Sequence, residues 1–164
     1  MENKNEESVE IRRFKESDVN GVHETIMKSL ENNFLTRVYE SIKFQIWRDV
    51  YTPEYILGMS KRRHLYVAIY KGKVVGSAAV SLENSVAYIS CVYTNSDYQG
   101  LGIGRKLMTA VEKDEISVKA GKMYLHAIMT ASPFYKKVGF HYETEYPEVI
   151  VDCGIEVIPM VKEL

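Results

Sequence analysis

The sequence predicts an α/β (α+β) fold in which a mixed, mainly antiparallel central sheet of about seven strands is flanked by about four to five helices. Three patterns predict it. Leu65–Tyr70, Val74–Leu82 and Val86–Thr94 are rich in β-branched and aromatic residues and are separated only by Lys71-Gly72 and Glu83-Asn84-Ser85. Such short separators make hairpins, hence an antiparallel meander. Upstream, Val19, Val22, Ile26 and Leu30 recur at spacings of three and four, as do Leu35, Val38, Ile42 and Ile46, the mark of two amphipathic helices with a break at Asn32-Asn33. Downstream, a helical pattern from Gly104 to about Ala120 lies between the strand ending at Thr94 and a further strand at Met123–Ile128. A strand–helix–strand connection normally makes its two strands parallel.

The remaining elements follow in order. Val9–Phe14 alternates as an edge strand, and Thr52-Pro53 has the form of an N-cap followed by a first-turn proline, opening a short helix through Met59. Ile103, Leu107, Met108, Val111 and Val118 mark the buried face of the long helix, which Gly121 ends. Ser132-Pro133 repeats the cap-and-proline pattern for a two-turn helix closed by Gly139. Phe140–Tyr146 and Ile155–Leu164 are strand-like and joined by an acidic loop.

A chain of 164 residues suits one domain spanning 1–164. With 21 Lys+Arg against 22 Asp+Glu, the charge of -1 provides no field for nucleic acid or an anionic membrane. No apolar run approaches the roughly 20 residues that cross a bilayer, and the polar start MENKNEESVE lacks a secretory apolar core, so a cytoplasmic location is expected. Cys91 and Cys153 are read as reduced thiols, Cys91 as a small buried hydrophobe. No metal is expected.

Chemistry concentrates in Gln99-Gly100-Leu101-Gly102-Ile103-Gly104, three glycines at alternate positions at a strand-to-helix junction. Glycine lets backbone approach a ligand, and the exposed N–H groups with the helix dipole make an anion site for phosphate or diphosphate. Arg105 stands where a G-x-G-x-x-G dinucleotide loop needs glycine, and the G-x-x-x-x-G-K-[ST] phosphate loop fails at the same residue.

Gln99, Gly102 and Gly104, placed after a meander, match [QR]-x-x-G-x-[GA], and here the chain resembles the GNAT superfamily of acetyl-CoA-dependent N-acetyltransferases. Ala131–Phe140 is similar to the family's second signature, Y-x-K-x-G-F, through Tyr135, Lys137, Gly139 and Phe140. The motif-bearing resemblance covers about Leu65 to Tyr142. It implies a GNAT-like sheet whose parallel pair splays apart to hold acetyl-CoA, the acetyl donor. Pantetheine would pair with the main chain of Val92, Tyr93 and Thr94, and the diphosphate would rest on Gln99, Gly100, Leu101, Gly102, Ile103, Gly104 and Arg105. Ser132, where many relatives carry asparagine, would also contact the cofactor.

The implied reaction is direct transfer of acetyl to a primary amine in a ternary complex, with a backbone N–H near Val92 polarising the thioester oxygen and Tyr135 protonating the departing thiolate. An alkyl amine with pKa near 10 is only about 0.1% neutral at pH 7, so a base is also required. Tyr88 stands where some relatives place a glutamate, which leaves Glu83, His126, Glu143 or a water chain for that role. Lys61-Arg62-Arg63-His64 is read as a solvated basic segment outside the site. Phe34, Tyr39 and Trp47 lie on helices that shape the acceptor pocket in the family. The acceptor itself is open: a small-molecule amine is favoured, with the acidic residues Glu143, Glu145, Glu148, Asp152 and Glu156 suited to a cationic one, and a peptide amine is not excluded. A homodimer through the C-terminal strands is left open. Two other classes are carried: a non-catalytic acyl-CoA-binding regulatory module, and a nucleotide-binding protein that would bind ATP or NAD tightly.

Overall fold

The computed structural model describes residues 8–32 and 41–164. Eight strands form one sheet: β1 (Glu10–Arg13), β2 (His64–Tyr70), β3 (Lys73–Glu83), β4 (Val86–Thr94), β5 (Lys122–Ile128), β6 (His141–Tyr142), β7 (Ile150–Asp152) and β8 (Ile155–Glu163). Their order is β1-β2-β3-β4-β5-β8-β6, with β7 also on β8, and every pairing is antiparallel except β4 with β5. Among the described residues six α-helices accompany them: α1 (Val19–Asn32), α2 (Ser41–Val50), α3 (Pro53–Arg62), α4 (Ile103–Lys113), α5 (Glu115–Ala120) and α6 (Ser132–Lys137).

The sheet separates two cores. Val22, Ile26, Leu30, Ile56 and Met59 from α1 and α3 cover one face against Leu65, Val67, Ala79 and Cys91. Ile103, Leu107, Met108 and Val111 from α4 cover the other against Val75, Ala78, Ala87 and Met123. The strand β5 shows why both faces are covered: Met123, Leu125 and Ala127 enter the α4 core, while the alternate residues face the α1–α3 side.

Turn chemistry matches expectation closely. Lys71-Gly72 and Asn84-Ser85 have positive φ at both positions, the two-residue hairpin that suits twisted strands. Thr52 accepts the Tyr55 N–H at 3.2 Å and caps α3, which runs one turn beyond Met59 to Arg62.

Four expectations change. The sheet has one strand more than expected, because Cys153-Gly154, at φ 48° and 78°, turns β7 back onto β8 inside what reads as an acidic loop. The long helix breaks at Asp114, whose carboxylate accepts the Ile116 N–H and starts α5. The break rotates the helical face, so that Ser117 is buried while Val118 is 65% exposed. Finally, Ala131, not Ser132, takes the cap position of α6: Ser132 is already helical and donates its hydroxyl to the Met129 carbonyl at 2.9 Å. Asn33, Leu35 and Val38, with Phe34 and Tyr39, lie outside the described residues.

Asp114 also joins the sheet to α5, accepting from the Tyr66 hydroxyl at 2.7 Å and pairing with His64 Nδ1 at 2.8 Å. Burial opposes its ionisation, but the bonds from Tyr66, Ile116 N–H and His64 outweigh that and hold its carboxyl below the ordinary value. A carboxyl depressed on folding stabilises the fold above its unfolded pKa of about 3.9 and stops doing so as pH falls through the lower folded value. Asp114→Ala should therefore cost about 1–3 kcal/mol at pH 7. Urea unfolding from pH 7 to pH 2 should show this deficit shrinking below pH ~4.

Candidate functional site

The site begins where β4 and β5 part. Their parallel ladder consists of Ala87↔Met123, Tyr88↔Tyr124 and Ile89↔Leu125, after which the strands diverge. β4 stays paired to β3 as far as Thr94↔Gly76, and β5 stays paired to β8 as far as Ile128↔Val157. Each strand therefore keeps its outer edge satisfied and turns an unpaired inner edge toward the gap.

A bulge in β4 sits at the divergence. The β3–β4 register passes from Ser77↔Tyr93 to Ala79↔Ser90, so Ala78 alone faces Cys91 and Val92. Cys91 adopts φ 54°, which is costly for a residue with a side chain. The fully buried Ser77 hydroxyl donates to the Cys91 carbonyl at 2.8 Å and fixes the bend. Ile89 and Val92 pack toward the α4 core, whereas Cys91 packs on the α1–α3 side, so the bulge resets the alternation in mid-strand.

After β4, the Asn95 side chain accepts the Asp97 N–H, shaping a short 3-10 turn at Ser96–Tyr98. Gly100 and Gly102 follow at φ 81° and 67°, and Gly102 caps α4 in the left-handed conformation that favours glycine. The Lys106 N–H is bonded to the Gly102 carbonyl, leaving the first-turn N–H groups of Ile103, Gly104 and Arg105 without a backbone acceptor. A side chain at Gly104 would place its Cβ 3.0 Å from Phe134, so α6 packs directly against this first turn.

The gap and the loop form one cavity of about 970 Å³, lined by Val92, Tyr93, Thr94, Gln99, Gly100, Leu101, Gly102, Ile103, Gly104, Arg105 and Tyr135. Every sequence-selected position except Ser132 lines it. Ser132 is buried, with its hydroxyl on Met129. Tyr135 is 8% exposed, with its ring edge-on to Phe134 and Phe140, and burial alone pushes its phenol up. Its hydroxyl has no hydrogen-bond partner among the described residues.

The α1–α3 side of the cavity carries Trp47, Tyr51, Tyr55, Arg63, Tyr88, His126 and Asp152. Tyr88 is raised to about 12 by burial and by Asp152 and Glu83, with Arg63 opposing, so it stays protonated at neutral pH. Of the side chains considered as base, only His126 reaches the cavity; Glu83 and Glu143 are exposed. His126 Nδ1 lies 2.9 Å from an Asp152 oxygen, and Nε2 lies 2.9 Å from the Tyr124 hydroxyl. A carboxylate only accepts, so Nδ1 carries a proton; in the neutral ring the lone pair of Nε2 then accepts from Tyr124. The Tyr88 and His126 rings meet edge-on, 5.8 Å between centroids.

The basic segment divides. Lys61 and Arg62 are exposed, His64 binds Asp114, and Arg63 turns into the cavity, donating to the Ser90 hydroxyl at 2.8 Å. The solvated reading thus fails for Arg63. Adjacent strand residues face opposite ways, so a charged pair at the start of β2 sends one member to each side of the sheet.

A family model described as an acetyltransferase (GNAT) domain matches residues 36–164. The chain belongs to the GNAT family. Its fold is shared with solved N-acetyltransferases: PaiA of Thermoplasma acidophilum, solved in complex with coenzyme A, superposes with a TM-score of 0.77 at 23% identity over 96% of this chain and 99% of that one. A ribosomal-protein-alanine N-acetyltransferase of Brucella melitensis gives 0.70 at 20% identity over 94% and 99%. The uncharacterized N-acetyltransferase YjcF of Bacillus subtilis strain 168 is 27% identical over 99 residues, 60% of this chain and 69% of that one. The family supports acetyltransferase activity in general. Among the described residues no cluster of His, Cys, Asp and Glu suits a metal, and no helix is long and apolar enough to cross a membrane.

Ser77→Ala removes the side-chain hydroxyl that donates to the bulge carbonyl at Cys91. It should lower stability by about 1–2 kcal/mol, read as a fall in the thermal midpoint.

Proposed function

We propose that this GNAT protein is a single-domain enzyme that moves an acetyl group from acetyl-CoA to a primary amine in a direct ternary complex. One observation carries the reading: glycine loop, parted strands and Tyr135 line a single cavity. The residues fit coenzyme A. Three unpaired first-turn N–H groups and Arg105 suit a diphosphate. The unpaired inner edges of β4, over Val92–Thr94, and of β5 suit the amides of an extended pantetheine arm. When bound, acetyl-CoA supplies the activated thioester carbonyl.

The chain's own groups divide the remaining work. Val92, in the bulge, lines the gap, and its main-chain N–H is the group we assign to polarise the thioester oxygen. Tyr135, held neutral by burial, is the proton donor to the leaving sulfur. A phenol this weakly acidic serves only because the same dry surroundings also raise the proton affinity of a thiolate. His126 Nε2 is the proton acceptor for the amine. Asp152 fixes Nδ1–H and faces the imidazolium that forms, and the incoming amine displaces the Tyr124 hydroxyl from the one lone pair of Nε2, to which it gives its proton.

A thiol-release screen of amines with acetyl-CoA, followed by mass analysis of the product, tests the proposal; binding of coenzyme A without acetylation of any acceptor would sink it. Tyr135→Phe should lower turnover by roughly 10²–10⁴ while leaving acetyl-CoA affinity nearly unchanged. His126→Gln should cost about 10²-fold at pH 7, and Asp152→Asn about 10-fold. Both deficits should narrow as pH approaches ~10, where water alone supplies neutral amine. A deficit constant with pH would assign His126 a structural role.

A further inference from the structure

Arg63 brings a positive charge to the tyrosine-lined side of the cavity, and among the described residues no carboxylate pairs with it. Its one hydrogen bond goes to the neutral Ser90 hydroxyl, and no ion pair engages it among the described residues. That spends one of five N–H donors. The other members of the basic segment differ: Lys61 and Arg62 stand in solvent, and His64 has Asp114. A half-buried guanidinium without a counter-charge is costly, and its planar fork is matched by a carboxylate that accepts two parallel hydrogen bonds.

Arg63 acts inside the acceptor half. Its charge reaches Tyr51, Tyr88 and Cys91, all of which line the cavity. Tyr88 also feels Asp152 and packs edge-on to His126. Tyr88 therefore feels both the Arg63 charge and the Asp152 partner of His126. Glu143 and Glu148 add negative field around Tyr124, which bonds His126. The cavity wall thus carries both signs of charge, positive at Arg63 and negative at Asp152. A bare diamine would satisfy only the negative group, and a neutral peptide amide only the proton acceptor.

We infer that the acceptor is an amino-carboxylic acid, its ammonium directed to His126 and Asp152 and its carboxylate held by Arg63. This rests on the acetyl-transfer reading above and names the substrate class for it. Acetylation then removes the positive charge of the zwitterion, which weakens the hold of Asp152 on the product. Arg63 is a specificity residue in this scheme and moves no proton.

The test is a matched panel with acetyl-CoA: L-α-amino acids and ω-amino acids from glycine to 6-aminohexanoate, each beside its carboxamide, with diamines and a short peptide amide. The wild-type protein should favour at least one carboxylate over its carboxamide by about 10–10²-fold in kcat/KM. Arg63→Gln should bring that ratio to within about 3-fold, and Arg63→Lys, which keeps the charge but not the fork, should retain part of it. Should Arg63→Gln fail to fold, the wild-type ratio and Arg63→Lys decide. Equal use of carboxylates and carboxamides, a preference for diamines or the peptide amide, or a ratio untouched in Arg63→Gln would overturn the inference while leaving acetyl transfer standing. So would a loss of coenzyme A affinity in Arg63→Gln with the ratio unchanged, since Arg63 would then serve the donor. No acetylation of any amine removes the underlying reading and this inference with it.

Discussion

Parallel strands normally hold one another along their whole length, yet β4 and β5 separate after three residue pairs. The site depends on that parting, and the neighbouring strands make it tolerable. β3 and β8 continue to satisfy the outer edges of β4 and β5, so the cost falls only on main-chain groups facing the gap. Inner edges left open in this way are a template for an extended ligand, in the manner of a strand added to a sheet. The bulge at Cys91 supplies the divergence, and Ser77 beneath it restrains a backbone angle that a cysteine adopts at a cost.

The cavity that results has two electrostatic halves. At the loop, amide groups and the start of α4 present partial positive charge, and Gly100 and Gly102 allow the left-handed backbone that leads into it. Beyond the gap the walls are phenols. Burial pushes Tyr51, Tyr88, Tyr93 and Tyr135 all upward, so these groups can give protons or hydrogen bonds and do not accept a proton near neutrality. In the proposed reaction a proton leaving an amine needs a different chemistry, and the His126–Asp152 pair on the cavity wall is the group assigned to it.

Local rules made much of this legible. Strand-forming runs located β2 to β5, the short separators Lys71-Gly72 and Glu83-Asn84-Ser85 located the hairpins, and alternate glycines located the loop, because each depends on neighbours close in sequence. What escaped depends on contacts across the fold. Val118 continues the apolar spacing of α4, but Asp114 spends its carboxylate on Ile116 and on two strand residues fifty positions away, and the helix turns there. Ser132 and Pro133 read as cap and first turn until Met129 claims the serine hydroxyl. His126 was visible as a titratable residue; Asp152 as its partner was not, since β7 meets β5 only through β8. The bulge has no sequence signature, for Cys91 stands where a glycine would have announced it.

The basic segment shows how the two faces of the sheet constrain each other. Arg63 ends α3 in extended backbone at φ -130° and ψ 151°, and β2 begins with the next residue. From there side chains must alternate, so the orientation of His64 sets that of Arg63. His64 is committed to the α5 face by Asp114, which Tyr66, two residues further along the same face, also engages. The Asp114 cluster lies on the far side of the sheet from the tyrosine-lined half of the cavity, yet it fixes the register by which Arg63 enters that half. A change on the α5 face can therefore reach the acceptor wall without touching it, through the pleat of a single strand.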